Sequence, residues 1–316
     1  MTKHILVTGG AGFIGSHLVE RLLAEGYRVV VIDDFSTGRA GNLASVAGHA
    51  ELEVIEARVS EYSGLEDVIR RASCIYHLAA AVGVELVVRS PIRTIETNLK
   101  ETEAVLASAS RHGVPVLVTS TSEVYGKSRQ DRFSEDDDLL IGPPHLGRWS
   151  YACSKLMDEF LALAYMRERG LPVTIARVFN TVGPRQTGVF GMVLPRFIEA
   201  AKRGSPLRVF GDGSQRRCFC FVADTVEALL RLQNCAAARG EVVNVGGSEE
   251  VSILQLAELV VRTIESSSTI ELVPYEQAYA PGFEDMLRRR PSVEKLLRLT
   301  GLNPSTSIRE IIRRTA

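Results

Sequence analysis

Ile5-Leu6-Val7-Thr8-Gly9-Gly10-Ala11-Gly12-Phe13-Ile14-Gly15 decides the fold. A short apolar run ends in glycines spaced three apart, Gly9, Gly12 and Gly15, and a helical pattern opens at Phe13 and Ile14. Glycine permits the tight turn, lets the backbone approach a pyrophosphate, and packs helix against strand, while the helix N-terminus offers unpaired N–H groups to the anion. The next apolar run closes on Val31-Ile32-Asp33, eighteen residues past Gly15. A carboxylate at that strand end accepts hydrogen bonds from ribose hydroxyls and repels a 2′-phosphate, so NAD rather than NADP is the expected dinucleotide.

Working outward, strands are predicted over 5–8, 28–32, 52–55, 74–78, 116–119 and 173–178, alternating with helices over 14–25, 94–112 and 152–169. Such alternation reads as an α/β fold of Rossmann type, a doubly wound parallel sheet with helices on both faces. Beyond Asn180 the regularity breaks into connections marked by Gly183-Pro184, Gly188, Gly191, Gly204, Gly211 and Gly213. A helix over 224–232 and a strand over 242–245 return to the sheet, and Pro274, Pro281, Pro291 and Pro304 punctuate the last section. The expected division is an NAD-binding region over 1–180, completed by about 222–246, and a smaller substrate-binding region over 181–221 and 247–316.

The 316 residues are 45% hydrophobic and 24% charged, enough for a sizeable core. Acidic and basic residues nearly cancel, 38 against 37, so no basic stripe points to nucleic acid. No run approaches a membrane span, and a cytoplasmic protein is expected. Five cysteines without Cys-x-x-Cys spacing argue against a disulfide framework or a structural metal, and no metal is expected. Cys218 and Cys220, two apart, would share one face of a strand as small buried hydrophobes.

Tyr151 and Lys155, four apart in Tyr151-Ala152-Cys153-Ser154-Lys155, lie on one helix face. There the ammonium can stabilise a phenolate and bring the tyrosine toward working pH. Such a tyrosine can take a proton from a substrate hydroxyl as hydride leaves for NAD. The segment Ser120-Thr121-Ser122-Glu123-Val124-Tyr125-Gly126 follows a strand and so sits at a carboxyl end of the sheet, where α/β folds bind ligands.

The glycine pattern, Asp33 and the Tyr-Lys pair together resemble the extended short-chain dehydrogenase/reductases, the NAD-dependent epimerase/dehydratase family, over nearly the whole chain. The resemblance implies that Thr121 hydrogen-bonds the reacting hydroxyl. Ser122-Glu123 is similar to the pair in UDP-glucuronic acid decarboxylases, the UDP-xylose synthases, and is shared by some dehydratases and epimerases. Gly213-Ser214-Gln215-Arg216-Arg217-Cys218-Phe219 resembles the decarboxylase segment whose arginine, here Arg217, faces the sugar carboxylate. Arg289, in Arg288-Arg289-Arg290-Pro291-Ser292, matches an arginine that grips the diphosphate. Asn180 and Arg185 match residues touching that diphosphate, and Phe210 one beside the uracil. One departure stands out: where relatives carry an aspartate that bonds adenine, this chain has Arg58, which cannot accept a hydrogen bond.

The implied activity is oxidation at C4 of UDP-glucuronic acid with decarboxylation to UDP-xylose or the UDP-4-keto-pentose. The alternatives are 4-epimerisation of UDP-glucuronic acid or a UDP-hexose, then 4,6-dehydration, and outside catalysis a dinucleotide sensor, which would not need Tyr151 and Lys155. Helices matching 94–112 and 152–169 pair between subunits in related enzymes, so a homodimer is expected.

Overall fold

The computed structural model describes residues 3–81, 90–188, 192–274, 277, 286 and 288–316; Gly191 and Pro281 lie outside them. Seven parallel strands form the central sheet: β1 (His4–Thr8), β2 (Val29–Asp33), β3 (Leu52–Glu56), β4 (Ala72–His77), β5 (Val116–Thr121), β6 (Val173–Val178) and β11 (Val242–Val245). They stand in the order β11-β6-β5-β4-β1-β2-β3. The order reverses between β1 and β4, and a crevice opens there at the carboxyl ends of the strands. Every residue of β1 and β2 is buried, as strands covered on both faces require. The edge strand β3 instead carries the half-exposed Glu53 and Glu56, charges that discourage pairing with another chain.

On one face α1 (Phe13–Ala24) and α6 (Val222–Asn234) pack Leu18, Leu22, Val226 and Leu229 against Val7, Val31 and Val243. On the other, α2 (Leu65–Arg71), α3 (Pro91–His112) and α4 (Trp149–Arg169) bring Val68, Val105, Leu106 and Ala162 onto Leu6, Ile75 and Val118. The two long helices have clear stops. Pro91 takes the first position of α3, where no intrahelical N–H bond is lost. Gly113 and Gly170, at φ +63° and +69°, end α3 and α4 in the left-handed conformation that glycine enters without strain. Each predicted strand and helix of the sheet is present, to within a few residues. The seven-residue α2 was not foreseen, being too short to show a helical period.

The C-terminal section has its own core. There α5 (Val193–Lys202), α7 (Ile253–Ile264) and α9 (Ile308–Thr315) pack Leu194, Phe197, Leu256, Val260 and Ile311 against the parallel pair β8 (Leu207–Phe210) and β13 (Ile270–Val273). The short helix α8 (Glu294–Thr300) rests on the first core through Leu296. Three short strands, β9 (Arg216–Cys218), β12 (Glu250–Ser252) and β14 (Arg288–Arg289), make a second small sheet. Two more, β7 (Thr181–Val182) and β10 (Cys220–Phe221), pair parallel.

The cysteine expectation needs correction. Cys218 and Cys220 do not share a strand, because the chain passes from β9 to β10 across Phe219 and the two strands belong to different sheets. Both are buried, and burial pushes both thiols up to about 12, as small inert core side chains. All five cysteines are free, and no helix among the described residues is long and apolar enough to cross a membrane.

Candidate active site

A cavity of about 510 Å³ runs along the carboxyl ends of the strands, from Asp33 and Arg58 at one end to Phe210 and Arg289 at the other. At the first end the glycine loop leaves no room for side chains. A Cβ on Gly15 would stand 2.2 Å from the Gly9 carbonyl oxygen, and one on Gly9, at φ +71°, would stand 2.7 Å from the Ala79 nitrogen. Gly12 is the N-cap of α1 and offers no side chain to the first-turn amides, including those of Phe13 and Ile14, so they remain available to an anion in the cavity. Asp33 is fixed from both sides: Ala11 N donates to Oδ2 at 2.8 Å and Phe35 N to Oδ1 at 2.9 Å. Burial pushes its carboxyl up against the pull of these two amides. Each oxygen keeps a lone pair, and Asp33 lines the cavity. A bare-backbone cradle closed by a strand-end carboxylate fits an NAD pyrophosphate and ribose. Arg58 borders the same end, drawn toward Asp34 at 3.5 Å and Glu61 at 3.1 Å.

Midway, Tyr151 and Lys155 both line the cavity from the inner face of α4. Opposite them β5 ends in Thr121, whose Oγ accepts the Glu123 amide at 3.2 Å and so caps the single helical turn Ser122–Tyr125. The Thr121 hydroxyl also hydrogen-bonds that of Tyr151. Lys155 pairs with a carboxylate on its own helix. Its Nζ is 2.7 Å from Asp158 Oδ2, and Tyr151 is pushed up rather than down. Burial is the main cause and the negative charge of Glu123 the next, the Thr121 hydrogen bond opposing both.

The carboxylate of Glu123 is the centre of an arginine cluster. Arg289 Nη1 donates to Oε1 at 2.5 Å and Arg148 Nη2 to Oε2 at 3.2 Å. Burial pushes the Glu123 carboxyl up, but Arg289, Arg148 and Arg217 outweigh it and hold it below its ordinary range. Glu123 is therefore held as an anion by the guanidiniums around it. The small sheet explains why two of these arginines converge. β14 lies parallel to β9 with Arg289 beside Arg217 and Arg288 beside Arg216. Side chains alternate along a strand, so Arg216 and Arg288 reach Glu250 on one face while Arg217 and Arg289 enter the cavity from the other. Arg148 was missed in the sequence. Its signal is its spacing, three residues before Tyr151 and so on the same side of the start of α4.

At the far end Phe210 closes β8, half-buried, with the Arg196 guanidinium 4.6 Å above its ring; both line the cavity. Asn180 also lines it and donates through Nδ2 to the Cys218 carbonyl at 3.1 Å. Ser122 is buried at the cavity wall. Arg185 departs from expectation, for it is not among the cavity's lining residues. At φ +69° it turns its guanidinium to Glu20 at 2.5 Å and the Asn42 carbonyl at 3.0 Å, so it tethers the loop to α1 instead of facing the cleft. Of the ten residues nominated for the site outside the glycine loop and Asp33, nine (Thr121, Ser122, Glu123, Tyr151, Lys155, Asn180, Phe210, Arg217 and Arg289) line one cavity and Arg185 does not; Arg148 and Arg196 join them there.

The NAD dependent epimerase/dehydratase family matches residues 5–246. A UDP-N-acetyl-alpha-D-glucosaminuronate decarboxylase of Bacillus cytotoxicus is 40% identical, over 100% of this chain and 97% of that protein. UDP-glucuronic acid decarboxylase 1 of Danio rerio is 38% identical over 99% of this chain and 72% of its own length. Among solved structures, the UDP-glucuronic acid 4-epimerase of Bacillus cereus in complex with UDP-glucuronic acid and NAD superimposes with a TM-score of 0.88 at 30% identity, covering 99% of this chain and 97% of that one. The chain belongs to the NAD-dependent epimerase/dehydratase family.

Proposed function

We propose that this protein is an NAD-dependent decarboxylase of a UDP-linked uronic acid, with UDP-glucuronic acid as substrate. The observation that carries the reading is the cluster of Arg148, Arg217 and Arg289 around Glu123, next to Tyr151 and Thr121. Among the described residues three guanidiniums and one carboxylate meet here, and such forks suit a ligand carrying both a diphosphate and a carboxylate. The relatives named as decarboxylases of UDP-linked uronic acids support it.

In this reading the cradle of Gly9, Gly12 and Gly15, the amides of Phe13 and Ile14, Asp33, and Tyr151 with Lys155 would hold NAD, which supplies a hydride acceptor at the reacting carbon. Tyr151 takes the proton of the C4 hydroxyl while Thr121 orients that hydroxyl. The product of this oxidation is a 4-keto acid whose carboxylate lies β to the new carbonyl. Loss of carbon dioxide then needs little beyond electron withdrawal by the ketone. Arg217 and Glu123 position the carboxylate, and the enolate that carbon dioxide leaves takes up a proton at C5 from water, relayed by Glu123 with Ser122 beside it. Arg289 and Asn180 take the diphosphate and Phe210 packs on the uracil. The NAD-binding part is residues 1–180 with 222–246, and the remainder binds the nucleotide sugar. We place the enzyme in the cytoplasm as a homodimer. In support of the dimer, α3 and α4 pack on each other and expose Ile92, Met157 and Phe160.

The likeness to a UDP-glucuronic acid 4-epimerase supports a second reading, in which the same oxidation is followed by rotation of the ketone and return of hydride. The mass of the product separates the two. Decarboxylation of UDP-glucuronic acid yields a nucleotide pentose and carbon dioxide; conversion to an isomeric acid without gas replaces the decarboxylase with the epimerase. The N-acetylated acid belongs in the same assay, because the Bacillus cytotoxicus relative is named for it.

A further inference from the structure

Past Asp33 the cavity is lined by small apolar side chains. Ala57 and Val59 reach it from the turn that follows β3, and Ala79 and Ala80 from the chain that follows β4. Helix α3 ties both segments down. Its Asn98 Oδ1 accepts the Ala81 amide at 2.7 Å. Three residues on, Glu101 accepts the Ser60 hydroxyl at 2.7 Å on Oε1 and the Ser60 amide at 3.2 Å on Oε2. Glu101 is only 4% exposed, yet it lines the cavity. Both donors on it are neutral groups of one residue, and each carboxylate oxygen keeps a further acceptor position. The cations nearest in sequence and at this end serve other acids: Lys100 meets Glu96 at 3.3 Å, and Arg58 meets Glu61 at 3.1 Å and Asp34 at 3.5 Å.

With pyrophosphate at the glycine loop, ribose at Asp33 and the reacting end toward Tyr151, the base carried by that ribose falls in this part of the cavity. A purine has flat apolar faces, which suit walls of alanine and valine, and its polar edge needs only a few placed partners. Adenine presents an exocyclic amine, a hydrogen-bond donor. Arg58 borders the same end but only donates. We propose that Glu101 is the specificity-determining residue for adenine in the NAD site, its buried carboxylate accepting a hydrogen bond from the exocyclic amine. Asp34 is the rival acceptor, since it too lines this end. Its side chain is 28% exposed, however, with one oxygen turned to the Ser36 amide at 2.9 Å and the other to Arg58. Glu101 is the more deeply buried of the two and is held on both oxygens, so it is already oriented before the base arrives.

The inference rests on NAD lying along the glycine loop and Asp33, and its test reads binding rather than turnover. The full chain, freed of nucleotide, is titrated calorimetrically with NAD and with nicotinamide hypoxanthine dinucleotide, in which a carbonyl oxygen replaces the amine. The wild type should prefer NAD by about 10- to 100-fold in Kd, the scale of one hydrogen bond to a charged group. Glu101→Ala should bind the two dinucleotides alike. Because that change also strips the Ser60 amide and hydroxyl of their acceptor, Glu101→Gln serves where the alanine variant does not fold. Its side chain can turn an oxygen to the amine or a nitrogen to the carbonyl, so the preference should vanish there too. A merely structural Glu101 would weaken both dinucleotides and leave their ratio as in the wild type, which overturns the proposal. So does a wild type that binds the two equally, or a preference that survives in the Glu101 variants and is lost in Asp34→Asn. A folded wild type that binds neither dinucleotide removes the NAD site itself, an outcome distinct from equal binding of both.

Discussion

Replacing Glu123 by glutamine should tighten binding of an acidic sugar nucleotide while lowering its turnover. In the structure Glu123 occupies two guanidinium forks, through one bond from Arg289 at 2.5 Å and one from Arg148 at 3.2 Å. The side chains of Glu123, Arg289 and Arg148 are 20%, 15% and 12% exposed, so the cluster is shielded but reachable from the cavity. An incoming carboxylate must compete with the resident one. Charge-assisted hydrogen bonds contribute about 1.5–3 kcal/mol each. Freeing one fork should therefore strengthen binding of UDP-glucuronic acid by about 10- to 100-fold in Kd. Loss of a group that handles a proton should cut kcat by about 10²- to 10⁴-fold. Calorimetric titration of the NAD-loaded protein with UDP-glucuronic acid, and in parallel with UDP-glucose, measures the first effect. UDP-glucose carries the diphosphate without the carboxylate and should gain little. Equal gains for the two ligands would show that the forks serve the diphosphate, and weaker binding of the acid would refute the competition altogether.

Other consequences are open to measurement. Asp33→Ala should weaken NAD by about 10- to 100-fold, the scale of one or two hydrogen bonds to a carboxylate, and narrow the preference over NADP; equal affinities of the wild type for the two cofactors would remove Asp33 as the selector. His77 is buried neutral and held at about 3, by burial first and then by Lys155. Its unfolded-state value is 6.5, so between about 6.5 and 3 the unfolded chain binds a proton that the native state refuses, and stability falls as pH falls, by at most about 1.4 kcal/mol per pH unit from this group. His77→Gln should flatten that part of the denaturant-midpoint profile; an unchanged slope counts against it. Phe160→Glu, which puts a charge on the exposed apolar face of α4, should shift sedimentation from dimer to monomer, and a wild-type monomer at micromolar concentration would remove the proposed interface.

The sheet was legible in the sequence because each of its elements announces itself locally. Val29–Asp33 is an unbroken apolar run closed by an acid, and α3 and α4 carry their own stops in Gly113 and Gly170. The small sheet was not legible for the opposite reason. Arg288–Arg289 is two residues long, without apolar alternation, and becomes a strand only by pairing with Arg216–Cys218, some seventy residues earlier. Arg217 and Arg289 could be nominated by likeness to relatives, but that both enter one cavity while their neighbours turn to Glu250 follows from pairing between distant segments. Arg185 shows the converse failure: its neighbours fit a familiar pattern, yet its direction is set by a left-handed backbone and by Glu20 on α1.

The cluster also couples two steps that the sequence treats separately. Glu123 is the second largest influence opposing ionisation of Tyr151, and it is itself held anionic by Arg289 and Arg148. A substrate carboxylate that drew those arginines away would leave Glu123 less well compensated and raise its affinity for a proton, and a protonated Glu123 would no longer oppose the phenolate. Recognition of the acid would then favour removal of the C4 proton. Glu123→Gln, neutral from the outset, should accordingly lower the pH at which Tyr151 loses its proton while impairing the later handling of C5. The expected signature is reduction of the bound nicotinamide on adding UDP-glucuronic acid, with release of carbon dioxide slowed. A variant that neither reduces the nicotinamide nor binds the acid more tightly would mean that Glu123 serves the oxidation itself.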